Sequence, residues 1–69
     1  MIKVQENGSF VGWFQIFLSG QLVDEVSGSE NALEYATRLA REHDIRYIYF
    51  IDEVFEISEI SQTHAPGGV

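Results

Sequence analysis

Only one stretch of this sequence repeats its apolar residues at helical spacing, and everything around it is patterned for strands. From Glu30 to about His43, the residues Leu33, Ala36, Leu39 and Ala40 fall on one stripe, with Tyr35 at its edge. Glu34 with Arg38 and Arg38 with Glu42 form i,i+4 pairs on the opposite side, and Glu30 and Arg41 suit the two ends of the helix dipole. Ser27 with Glu30 has capping-box spacing, and Ser29 is a rival N-cap. A single helix can shelter one face of a sheet. That limit governs the rest of the reading.

The flanking segments read as strands. Ile2 to Gln5 alternates apolar and polar residues, Asn7-Gly8 is a two-residue hairpin signal, and Ser9 to Leu18 is rich in aromatic and β-branched residues. Ser19-Gly20 predicts a second hairpin turn before a strand from Gln21 to Val26. After the helix, Ile45 to Ile51 is strongly strand-prone, Asp52-Glu53 is a candidate turn, and Val54 to about Ile60 forms the last strand. The expected fold is α+β: a two-layer domain over residues 1–60, with one helix on an antiparallel sheet, in the order β-β-β-α-β-β. Residues 61–69, Ser-Gln-Thr-His-Ala-Pro-Gly-Gly-Val, have no periodicity and read as a disordered tail.

Strand alternation sorts each segment into two faces. Phe14, Ile16 and Leu18 form one set, and Trp13, Gln15 and Phe17 the other. Ile48 and Phe50 share a face, and Tyr47, Tyr49 and Ile51 share its reverse. A regular hairpin at Ser19-Gly20 would set Phe17 opposite Leu22, Ile16 opposite Val23 and Trp13 opposite Val26. The face without the helix therefore keeps several large apolar groups. Each costs on the order of 1.5–3 kcal/mol if left in water rather than buried. Contiguous patches of this kind mark interfaces, and Trp and Tyr are favoured anchors.

Eleven acids against four bases leave a net charge of −7 on 69 residues. That balance argues against direct binding to nucleic acid, where Lys and Arg must neutralise phosphates, and against anionic membranes. It favours a partner protein with a basic surface, approached faster by electrostatic steering, or else serves solubility alone. From Asp52 onward, Asp52, Glu53, Glu56 and Glu59 stand with no Lys or Arg among them. They are either guards on an edge strand or a negative patch suited to an Arg/Lys-rich groove. No apolar run reaches the roughly 18 residues a membrane span requires, the start resembles no signal peptide, and there is no cysteine. A cytoplasmic location is expected.

The chemistry of a catalytic centre is hard to assemble from these residues. There is no cysteine nucleophile and no Gly-x-Ser-x-Gly elbow, and the only lysine, Lys3, belongs to no phosphate-cradling loop. Glu42, His43 and Asp44 occupy adjacent positions at a helix end and diverge around its axis, so neither a metal nor another cofactor is expected. The acids of the last hairpin have no base beside them, and solvated positions tune a carboxylate little. The chain is read as a non-enzyme.

The segment from Gly12 to Ile57, with Gly12-Trp13 opening a strand, Ala36 and Ala40 in the helix and a closing strand pair, resembles short bacterial and phage ββαββ domains of unknown function. The strand meander followed by Glu30-Asn31-Ala32-Leu33-Glu34 is similar to HicB-type antitoxins, which neutralise a small basic RNA-cleaving toxin. In size and charge the chain also resembles small acidic phage inhibitors such as anti-CRISPR proteins. Charge and the aromatic face together lead to a protein-binding inhibitor that occupies a nucleic-acid-binding surface, with Asp52, Glu53, Glu56 and Glu59 steering and Trp13, Phe17, Tyr47 and Tyr49 anchoring, and the likeness to phage inhibitors points the same way. The alternative is an antitoxin-like or housekeeping domain acting as a homodimer through the aromatic sheet face.

Overall fold

In the computed structural model, which describes residues 1–58, one helix lies on one face of a five-stranded sheet. The elements are β1 (Ile2–Glu6), β2 (Trp13–Leu18), β3 (Gln21–Ser27), α1 (Ser29–Glu42), β4 (Tyr47–Phe50) and β5 (Glu53–Glu56). Their spatial order is β3-β2-β1-β4-β5, so the first strand in the chain is the middle strand of the sheet. The α+β class and the order of elements are as the sequence predicts.

The sheet is not purely antiparallel, however, because β4 runs parallel to β1, pairing Ile2 with Ile48 and Val4 with Phe50. The cause is the single helix. Two hairpins leave β3 pointing the same way as β1, a helix returns the chain across the sheet, and the next strand must again run in that direction. A hairpin then makes β4 and β5 antiparallel.

Two turns depart from expectation. The Asn7-Gly8 signal does not close a two-residue hairpin: Asn7–Gly12 is a six-residue connection, and β2 begins at Trp13 rather than Ser9. The Asn7 Oδ1 accepts hydrogen bonds from the backbone N–H groups of Ser9 (2.8 Å) and Phe10 (3.2 Å), an Asx turn that draws the chain away from the ladder. Ser19-Gly20 does form the predicted hairpin, with φ of 52° and 86°, the positive pair that a tight I′-type turn demands. The last hairpin turns at Ile51-Asp52, not Asp52-Glu53, because Phe50 pairs directly with Glu53. It holds the β-branched Ile51 at φ 57°. The expected strand over 45–51 shortens to Tyr47–Phe50, the one expected over 54–60 starts a residue early and runs Glu53–Glu56, and Glu59, Ile60 and the tail lie outside the described residues.

A β-bulge decides what β3 shows to each face. Phe17 pairs with Leu22 as a regular hairpin requires, but the register then shifts, so that Ile16 meets Asp24 and Phe14 meets Val26. The expected Ile16–Val23 and Trp13–Val26 pairs are therefore wrong by one residue, Val23 being the extra one. Without the shift Glu25 would stand beside Phe14 on the buried face. With it, Val26 takes that place and packs against the core.

The core lies between this face and the helix. Ile2, Val4, Ile16 and Ile48 are fully buried under Ala32, Ala36 and Ala40, and Phe14 joins them. Three alanines at i, i+4 and i+8 make a smooth spine that lets the helix approach closely. Ala32 was not foreseen, and Leu33 and Leu39 flank the spine half-buried instead of forming its centre. Phe50 stacks 5.9 Å from Phe14 and meets Phe55 edge-on at 6.2 Å, extending the core to the sheet edge.

The helix is fastened more firmly at its end than at its start. Gly28, at φ 89°, is the N-cap and no side chain caps the first turn, so neither Ser27 nor Ser29 plays the predicted part. Asn31 Nδ2 instead donates to the Ser27 carbonyl. At the other end Ile45 N–H donates to the Ala40 carbonyl and Asp44 N–H to that of Arg41, with Asp44 at φ 57°. This is the Schellman arrangement, closed by a non-glycine residue.

Candidate protein-docking face

The sheet face turned away from the helix gathers all four predicted aromatic residues. Register carries one row straight across it: Leu22 beside Phe17, Phe17 beside Lys3, Lys3 beside Tyr49, and Tyr49 beside Val54. Trp13 lies further along β2, and Tyr47 one step away on β4, paired with Glu56. Trp13 keeps 43% of its surface exposed, Tyr47 48%, Tyr49 43%, Leu22 50% and Val54 56%, while Phe17 is half-buried among them.

A half-exposed aromatic or large aliphatic side chain shows about 100 Å², so the row together with Tyr47 reaches on the order of 400 Å² of apolar surface, and Trp13 stands apart from it beyond Gln5, Gln15 and Glu25. Largest patches on monomers run to roughly that size and are frequently functional.

Beside the apolar row runs a polar one. Gln5 Nε2 donates to Gln15 Oε1 at 3.3 Å, and Gln15 Nε2 donates to Glu25 Oε2 at 3.1 Å. Asn7 Nδ2 reaches the same Glu25 oxygen at 3.2 Å. The Glu25 carboxylate thus has two amide donors of its own chain. It serves the sheet.

The acids of the last hairpin do not form one row. Asp52 sits in the turn, Glu53 pairs with Phe50 and shares the helix side of the sheet, and Glu56 pairs with Tyr47 on the open side. Glu59 lies outside the described residues. Among the described residues no group of three or more His, Asp or Glu side chains gathers as a set of metal ligands, and no helix is long and apolar enough to cross a membrane.

Three features of this surface escape a reading by segments. Lys3 stands at the centre of the aromatic face, which follows once β1 is known to be the middle strand. Leu22 and Val54 complete the row from the two edge strands. Phe10 and Val11, expected inside a strand, project from the Asn7–Gly12 connection with 65% and 102% exposure.

Off this face, the Tyr35 phenol is displaced from its ordinary behaviour. Burial, reinforced by the hydrogen-bonded Asp24 carboxylate, raises the pKa of the Tyr35 phenol above its usual value. This ties the helix to the bulged segment of β3. It is a structural contact and offers no nucleophile.

Comparison with protein-family models, with curated proteins and with solved structures returns no match. No residue's role is carried over from a relative.

Proposed function

We propose that this chain is a non-enzymatic protein-binding module acting in the cytoplasm, with the open sheet face as its docking surface. One observation carries the reading: Tyr47, Tyr49, Leu22 and Val54 stand together, with Trp13 further along, on a face that none of the described elements covers. Leaving such groups in water costs on the order of 1.5–3 kcal/mol each relative to burial, and a protein surface laid on them recovers that energy.

The net charge of −7 selects the kind of protein. A basic surface, one that otherwise holds nucleic acid, is attracted at a distance, and occupying it would make the module an inhibitor of the phage type. Asp52 and Glu53, at the tip of the last hairpin, steer that approach.

The test compares wild type with a Trp13→Ser/Tyr49→Ser variant, matched for folding by circular dichroism, as immobilised baits for a native lysate and for a panel of basic nucleic-acid-binding proteins. Retention by wild type that is lost in the variant, with association slowing from low to physiological salt, is the expected outcome. Equal retention by the variant would remove the face from the reading. Association indifferent to salt would remove the steering.

A further inference from the structure

Lys3 is the only lysine in the chain, yet it lies on the middle strand of the sheet between Phe17 and Tyr49. Two strands away, on the same face, Glu56 lies beside Tyr47. Between them runs β4, which presents Tyr47 and Tyr49 to the open side. The order across the face is therefore cation, aromatic pair, anion. Strand spacing places Lys3 and Glu56 about 5 Å to either side of β4, one step apart along it.

Such a pattern complements itself. When two copies face each other about a two-fold axis passing between Tyr47 and Tyr49, the position of Lys3 in one copy falls over that of Glu56 in the other, and the reverse holds by symmetry. The other acid on the face, Glu25, already has donors in Gln15 and Asn7 and stands away from this centre.

Area agrees with charge. A stable interface covers about 800 Å² per partner, and roughly 65% of a homodimer contact is apolar, a share of which the row with Tyr47 supplies the larger part, on the order of 400 Å². A 69-residue chain with no cysteine also has more need of such reinforcement than a larger domain has.

We propose that a second copy of this chain occupies the open face, with Tyr47 and Tyr49 at the two-fold axis and Lys3 of each copy paired with Glu56 of the other. This rests on the reading of the face as a protein-docking surface, but it sets a second copy where that reading sets a foreign basic protein, and only one of the two can fill the face.

Sedimentation velocity over a concentration series, on the whole chain, tests the proposal. A reversible monomer–dimer equilibrium is expected, weakened about tenfold or more by Lys3→Glu and by Glu56→Lys singly, since each sets like charges face to face. The double variant Lys3→Glu/Glu56→Lys restores the pair in reverse and recovers most of the wild-type association. Lys3 is exposed and Glu56 half-buried beside a cavity that Arg41 and Arg46 also line, and circular dichroism checks that each variant is folded. A wild-type chain that stays monomeric up to about 1 mM, the weak limit of a specific contact, overturns the proposal. A dimer unmoved by either single variant, or a double variant no better than the singles, overturns the axis at β4. A monomer whose capture of foreign protein still depends on Trp13 and Tyr49 defeats the dimer and leaves the docking face standing. Capture independent of those residues defeats both.

Discussion

The covered and open faces of this sheet are made from alternate residues of the same strands, yet they end in different states. Ile2, Val4, Ile16 and Ile48 have no exposed surface, while Tyr47 and Tyr49, neighbours of Ile48 on β4, keep 48% and 43%. Hydrophobicity does not separate them. The covered side holds mainly branched aliphatics that fit beneath an alanine spine, and the open side holds rings with polar tips that tolerate water at one end. Cover, supplied by one 14-residue helix, is what differs. The open face is a surface kept apolar at some expense to a small fold.

That contrast is most easily broken by paired truncations on one strand. Ile48→Ala removes a fully buried side chain and should cost about 2–5 kcal/mol, enough to unfold much of a marginal domain. Tyr49→Ser, one residue further on, should change the stability of the monomer by no more than about 0.5 kcal/mol. Urea denaturation, at concentrations low enough to keep the chain monomeric, gives both numbers. Similar costs at the two sites would mean that the open face is covered in solution.

The spine itself offers the next effect. Ala36 has no exposed surface, and Ala36→Leu should lift the helix from the sheet at about 1–3 kcal/mol, measured by the same denaturation. A neutral result would show that the helix can slide, and with it the boundary between the faces.

How far these faces can be read from the chain depends on what leaves a local trace. Alternation does: the sets Phe14, Ile16, Leu18 and Trp13, Gln15, Phe17 emerge intact, as do Ile48 with Phe50 and Tyr47 with Tyr49, whereas Ile51, expected beside the tyrosines, falls in the turn. The alanine content of the helix signals close packing, although Ala32 looks like part of the first turn until the helix is seen to begin at Ser29. The bulge at Val23 leaves no mark, because one inserted residue in a polar edge strand alters neither composition nor propensity. The parallel β1–β4 pair is equally silent in any single segment, since it follows from the whole path of the chain. Lys3 is the instructive case. In Ile2-Lys3-Val4 it reads as the solvent side of a short strand, and only the middle position of β1 turns it into the centre of a docking face.

Smaller effects sharpen how the cover is held in place. Asp44 closes the helix at φ 57°, a conformation glycine adopts freely. Asp44→Gly should therefore stabilise the fold by a few tenths to about 1 kcal/mol, seen as a modest rise in Tm. A loss of stability would mean that the Asp44 side chain contributes more than its backbone costs. By contrast, Phe10→Ser/Val11→Ser changes two residues that belong to neither face, and should leave stability within about 0.5 kcal/mol. A larger loss would place the Asn7–Gly12 connection in the core's cooperative unit.

The smallest expected effect concerns the seam where helix and bulged strand meet. Burial first, and then the Asp24 carboxylate, disfavour ionisation of Tyr35, so the folded phenol holds its proton above the pH at which the unfolded one releases it. For a folded-state pKa raised in this way, the contribution is fully present below about pH 10, the unfolded value, and is lost as pH climbs through the folded value. Urea midpoints followed upward from neutral pH should accordingly fall more steeply beyond about pH 10 in wild type than in Tyr35→Phe, which has no proton to lose. The two proteins differ only at this phenol, so the difference between the two curves isolates this one contact. Parallel curves would show that Asp24 and Tyr35 are not held together in solution, and that the bulge in β3 is fixed by Val26 on Phe14 alone.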